Sequence, residues 1–427
     1  MGRKLMYKIA FFIATMALII SCSKTTTTTD TVAAGKNLYF ATGQCNSGSG
    51  ITTLSTTLSS RMIAKVNISS KVTSVVFDLA GEYQGGFFAP ETGAQSIVDN
   101  GSSLLLLTEN ATNMGDRKIF SVPKSTPFNT VIYASDVLAL TQTASNITRA
   151  MTKDLDGTLL FSKTVSIEKI GTNTLRIPSG AASYVSNPIG TGAGAFICGT
   201  STTFMSNIVS MPPYTGSSSG KIIYSHQGAT TATNRIGIIN KDGYSVIGDC
   251  YAGVQISTLT LTNDTTLTGP TTFDAGGSTN PTSMVYIPDS VTPTQGKLLV
   301  SYSASLAANL NNNTTFNYGI VMYNVTETSA TAATISGGTV LFRDASIGFG
   351  ISAMTYDSAN QTLYVATASQ TGVADQTIAA YGYKIEKFTL DLTATLVPKL
   401  TLVRVSNKPF LDRNSFTKCI TSMVVGD

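Results

Sequence analysis

The sequence has no tryptophan and a single histidine, His226, among its 427 residues. Charge is sparse as well: Asp, Glu, Lys and Arg make up 12% of the chain, about half the ~25% of an ordinary soluble domain. Each shortage removes a class of explanation. With one histidine, Ser-His-Asp and Cys-His relays would all run through His226, and no G-x-S-x-G nucleophile elbow accompanies it. Gly-rich phosphate cradles and Walker sequences are missing, and the carboxylates are scattered, so two-carboxylate chemistry is unsignalled. Beyond the N-terminus no apolar run is long enough to matter as a bilayer span, which excludes a polytopic membrane protein. A hydrophobic fraction of 42% excludes charge-driven disorder. The formal charge of +4 falls to about +1 once Arg3, Lys4 and Lys8 of the leader described next are discounted. No basic field is left to hold nucleic acid.

The first residues carry an address. Met1 to Lys8 is basic, and Ile9 to Ile20 is an uncharged apolar run, too short to span a bilayer but suited to a secretory leader. Ile19-Ile20-Ser21-Cys22 follows. This tetrad resembles the bacterial lipobox, with Ile19 where Leu is commoner. The resemblance implies cleavage before Cys22, lipidation of its thiol and acylation of the new N-terminus, and three acyl chains exceed what stable anchoring requires. A leader over 1–21 is therefore expected, then a polar Thr-rich tether over 22–36, beginning Ser23-Lys24-Thr25-Thr26. Ser23 is not the Asp that signals inner-membrane retention in enteric bacteria, which favours an outer-membrane destination, periplasmic or surface-exposed.

From residue 37 to 427 helical periodicity gives way to short β-branched and aromatic runs between Gly, Asn, Asp, Ser and Pro clusters, the all-β signal. A small or polar residue, a large aliphatic and a β-former recur at Ser96-Ile97-Val98, Ala150-Met151-Thr152, Asn207-Ile208-Val209, Ser283-Met284-Val285, Ala353-Met354-Thr355 and Ser422-Met423-Val424. Self-similarity at this spacing marks a repeat architecture. The first five are each followed by a second apolar run, such as Leu105-Leu106-Leu107-Thr108, and then by third and fourth runs. Four antiparallel strands per repeat resembles a blade of a β-propeller. The sixth repeat is split: the chain ends on a lone first strand, and Leu38–Thr42, Met62–Val66 and Val72–Phe77 supply its remainder. The expectation is an all-β, six-bladed propeller of four-stranded antiparallel blades, closed by one blade shared between the termini, with Pro178 to Phe204 able to hide further strands. An irregular β-sandwich or solenoid would not explain complementary part-repeats at the two ends.

Beyond Cys22 four cysteines remain, Cys45, Cys198, Cys250 and Cys419, an even number in an exported protein. Three pairings are possible. The expected strand order puts Cys45 beside Cys419, stapling the ring, and leaves Cys198 with Cys250. A metal site competes poorly, since no CxxC spacing occurs, and neither a metal nor another cofactor is expected.

Aligning the second strands brings one candidate ligand-binding set to a common position: Glu109, Lys163, His226 and Tyr302, each just past the small residue that ends the run. Equal register predicts equal direction, hence one mouth of the ring. The competing reading is four solvated strand ends. Quinoprotein and sialidase-type propellers rely on Trp and are disfavoured. Six-bladed lactonase-like enzymes place metal-binding carboxylates and Asn at such a mouth, and Glu109-Asn110 is the local echo of that pattern. Two functions follow as expectations: a lipid-anchored, non-enzymatic binding or scaffold protein for envelope protein or glycan, or a metal-dependent propeller hydrolase.

Overall fold

The computed structural model describes residues 35–43, 62–79, 93–109, 118–124, 138–139, 150–154, 157–162, 167–170, 204–212, 220–227, 235–240, 254–255, 261–263, 280–290, 292, 294–303, 319–329, 332–342, 350–370, 381–393, 398–406, 408–411 and 419–427. These form strands and turns, with no helix among the described residues. One sheet joins the two ends of the chain: β1 (Asn37–Gly43), β2 (Met62–Asn67) and β3 (Thr73–Asp78) stand beside β24 (Cys419–Gly426) in the order β24-β1-β2-β3. A second contains β4 (Gly93–Asp99), β5 (Ser103–Glu109), β6 (Lys118–Pro123) and β7 (Leu138–Ala139). The third has β8 (Met151–Lys153), β9 (Leu159–Ser162) and β10 (Ile167–Ile170). The fourth has β11 (Phe204–Met211), β12 (Lys221–Gln227), β13 (Arg235–Asn240) and β14 (Val254–Gln255). The fifth has β16 (Asn280–Pro288), β17 (Gln295–Ser303), β18 (Gly319–Ser329) and β19 (Ala332–Phe342), with β15 (Leu261–Asn263) on its outer edge. The last has β20 (Gly350–Asp357), β21 (Thr362–Gln370), β22 (Tyr381–Asp391) and β23 (Lys399–Val403).

The uniform four-stranded antiparallel blade needs correction. Five sheets reach four strands or more, whereas β8–β10 is three-stranded among the described residues. The β16–β19 sheet is five-stranded because β15 pairs with β19 in parallel. Of the segment from Pro178 to Phe204, only Phe204 is described.

The first strands pack side by side: β24 beside β4, then β8, β11, β16 and β20, and β20 returns to β24. The apolar core is divided into layers between consecutive sheets. Each second strand feeds two of them. Leu104 and Leu106 enter the layer shared with the β1 sheet, while Leu105 and Leu107 enter the layer shared with β8–β10. Side-chain alternation with both faces covered is why these strands read as unbroken apolar runs. The body is a β-propeller.

The repeated triplet has a physical basis in this packing. Ser422 Oγ accepts the amide hydrogen of Ile97, Ser96 Oγ that of Met151, and Ser283 Oγ that of Met354, at 3.1, 3.2 and 3.0 Å. The small residue of one triplet thus bonds the aliphatic residue of the next. Where the small residue is Ala150 or Ala353 this latch is absent. The aliphatic residues sit at nearly equal depth, between 4% and 6% exposed.

Charges also bridge sheets. Lys221 on β12 and Glu327 on β18 form a buried pair at 2.6 Å. Lys36, just before β1, reaches Asp357 at 2.9 Å. Replacing Lys221 by Met should destabilise the fold by about 3–5 kcal/mol, because Glu327 is left charged and buried. The double variant Lys221→Met/Glu327→Leu should recover most of that loss in denaturant unfolding.

Candidate functional site

The first strands enclose a central channel with a cavity of about 210 Å³. Its wall includes Gln95, Ser96, Asn207, Thr282, Thr421 and Ser422, all neutral donors and acceptors. Asp99 also lines it, and its carboxylate is held by Lys124 at 2.8 Å.

Local strand geometry produces this wall. In five of the first strands the register against the second strand slips by one residue, leaving Gln95, Ser206, Thr282, Ser352 and Thr421 unpaired in bulges. A bulge bends the strand and re-aims its side chain. Thr282 donates to Ile351 O and Thr421 to Ala94 O, both at 2.6 Å, so these two hydroxyls tie adjoining sheets together. Sequence reading passed over this position, although a polar residue precedes every triplet: Gln95, Arg149, Ser206, Thr282, Ser352 and Thr421. The polarity was readable. The bulge was not.

Two side chains of the expected set, those of His226 and Tyr302, are described. His226 and Tyr302 are fully buried, and neither belongs to the channel wall. Tyr302 packs in the layer between the β11–β14 and β16–β19 sheets and shares a hydrogen bond of 2.9 Å with the Tyr323 hydroxyl. Burial, then Tyr323, pushes its pKa far above the usual tyrosine value. Glu109 is out of step with the others. The partners of Ile97, Ile208 and Met284 are Leu106, Tyr224 and Val300, so the residue equivalent to His226 and Tyr302 is Thr108, with Glu109 one place beyond. A slip of one residue exchanges the faces of a strand. The Glu109 side chain and the whole of Lys163 lie outside the described residues, as do Cys22, Cys45, Cys198 and Cys250. Cys419 opens β24 opposite Gly43.

A second cavity, of about 480 Å³, lies on the face of the tight turns, bounded by Lys36, Asp99, Lys124, Asp357 and Gly426. Burial alone would raise the Asp357 pKa. Hydrogen bonds from Lys36, Asn360 and the Ala359 amide, with the Lys36 charge, outweigh it and hold the carboxyl below its ordinary value. Among the described residues no three His, Cys, Asp or Glu side chains gather as a metal site.

No protein-family model and no curated protein matches this sequence. Solved structures do resemble it. One is a protein of unknown function from Bacteroides caccae, at 11% identity and TM-score 0.42, covering 91% of this chain and 98% of that one. Another is the periplasmic gluconolactonase of Pseudomonas aeruginosa, at 11% identity and TM-score 0.40, covering 86% and 82%. A third is PorZ of Porphyromonas gingivalis, a bacterial surface component of the type-IX secretion system, at 13% identity and TM-score 0.42, covering 88% of this chain and 41% of that one. Such similarities carry no residue role over. The propeller assignment rests on this chain's own sheets and layers.

His226 makes the fold acid-sensitive. Burial, then the Arg235 charge, lowers its pKa to about 4. The unfolded chain, with a pKa near 6.5, takes up a proton first as the pH falls. Stability is therefore full above about pH 6.5 and declines toward pH 4, by about 3 kcal/mol. Asp357 adds a further loss only below its unfolded value of about 4. Urea unfolding across pH 7 to 4 should show the first decline, and His226→Gln should flatten it.

Proposed function

We propose that this chain is a lipid-anchored envelope propeller of six blades that binds a partner at one rim without chemical turnover. The sixth blade in this reading is β8–β10, since β8 takes a place between β4 and β11 in the circle of first strands. The observation that carries the binding reading is the chemistry of the channel wall. Among the described residues its polar side chains are hydroxyls and amides apart from one carboxylate, Asp99, which is already occupied by Lys124. Groups of that kind orient a neutral partner by hydrogen bonds; general acid-base work needs a titratable group within reach of the reacting proton.

The rims differ in a way that supports the same reading. First and second strands are joined by short turns such as Asp99–Ser103 and Asp357–Thr362, and the second strands end on the opposite face, at Gly43, Ser303 and Gln370 among others. Long connections carried on a rigid scaffold are where recognition concentrates. Envelope protein or glycan is the partner class, and nucleic acid is not, for want of a basic surface.

The leader over 1–21 and lipidation at Cys22 place the protein at the envelope in this reading, with 22–36 as its tether. A Cys45–Cys419 bond fits the same scheme, because Cys45 follows by two residues the Gly43 that pairs with Cys419. Cys198–Cys250 is the complementary bond.

Intact mass after detergent extraction should show loss of residues 1–21 and a gain of lipid at Cys22. Membrane fractionation of Cys22→Ser with an unchanged mass would overturn the anchor. Non-reducing peptide maps should join Cys45 to Cys419. Crosslinking in intact cells should capture an envelope partner, whereas turnover of a lactone panel by the purified protein would replace binding with hydrolysis.

A further inference from the structure

The five bulges put equivalent residues at one level of the channel, and one of them behaves differently. Thr282 and Thr421 spend their hydroxyls on carbonyls of the adjoining sheets. Ser352 donates weakly to Ala366 O at 3.5 Å, within its own sheet. Gln95 occupies the same position on β4 with a longer side chain. It is 2% exposed, and its Nε2 has no hydrogen-bond partner among the described residues. An amide donor left unpaired in a buried site is costly, and proteins rarely leave one so. This one borders a polar cavity.

We infer that Gln95 anchors a ligand site inside the channel for the terminal unit of a neutral, hydroxyl-rich glycan, a single sugar-sized ring with an oxygen that accepts from Gln95 Nε2. The inference rests on the binding reading above and specifies its ligand. Neutrality follows from the described residues of the wall: Asp99 is paired with Lys124, and the other polar side chains among them, such as Gln95, Ser96, Asn207, Thr282 and Ser422, are uncharged. Ser and Thr hydroxyls both donate and accept, as the hydroxyls of a sugar do. Size follows from the cavity. About 210 Å³ is below the ~300–1,000 Å³ of sites that enclose drug-sized ligands, so one ring enters and the rest of the chain stays at the rim. The bulges lie where first strands begin and second strands end, so the site sits toward that end of the channel.

The test uses the full chain and methyl glycosides of neutral hexoses and N-acetylhexosamines, titrated calorimetrically. At least one should bind, and Gln95→Leu should weaken it tenfold or more while leaving the melting temperature unchanged or higher, since the variant removes an unpaired amide. Gln95→Glu, which trades the donor for an acceptor at neutral pH, should weaken it comparably. A glycoside bound equally by wild type and Gln95→Leu overturns the site and leaves the binding function standing at the outer loops. Failure of every glycoside to bind, with a cell partner still captured by both proteins, overturns the Gln95 site and its glycan and leaves the binding function standing. Capture of a peptide through Gln95 replaces glycan with protein. Failure of all probes and all capture overturns the binding reading itself.

Discussion

Every second strand in this protein must be covered on both faces, and the rest of the architecture follows from that requirement. A strand such as β5, apolar at each of Leu104 to Leu107, cannot be satisfied by one neighbouring sheet. It needs a sheet on either side, and so does the next second strand. The demand is met without a leftover face because β20 comes back to β24. Burial is thereby divided into separate layers, each as thick as two facing sets of side chains, with no common centre. Around the channel the aliphatic residues of the triplets alternate with polar side chains such as Gln95, Asn207 and Thr421.

That division explains the economy of charge. Among the described residues, ionic groups pair where two sheets meet or where a strand ends. Lys221 and Glu327 join the β12 and β18 sheets, Lys36 and Asp357 join the N-terminal segment to β20, and Lys153 donates to Asn100 across the β8–β4 junction. Arg404 and Lys384 both turn toward Glu386 within one sheet. Ser, Thr and Asn take over the remaining junctions, and their abundance in the sequence has a structural use. The serine latches recur because the geometry between adjacent first strands recurs.

Much of this was legible in the sequence. The triplets were visible because each aliphatic residue meets the same surroundings, and the split sheet because a lone first strand at one end matched a headless repeat at the other. What escaped was anything that depends on one residue more or less. The bulges at Gln95, Thr282 and Thr421 insert a residue without changing the apolar pattern. Aligning by the small residue placed Glu109 with His226 and Tyr302, while pairing with β4 places Thr108 there. His226 and Tyr302 stand at the same register position and are both fully buried; a polar residue at a strand end reads as solvent-facing until the neighbouring sheet is known to cover it. The pairing of β15 with β19 had no local signal, since an added edge strand is decided by what lies beside it.

β1 begins at Asn37, opposite Gly426, on the face of the tight turns. Gly35 and Lys36 lead into it on that side, where Lys36, Asp357 and Gly426 bound the larger cavity. In the proposed anchored form this gives the protein a polarity. The face of the tight turns is turned to the surface that holds it, and the ends of the second strands look away. Its ligands would come from the far side, while neighbours fixed to the same surface would meet only the outer strands of the ring.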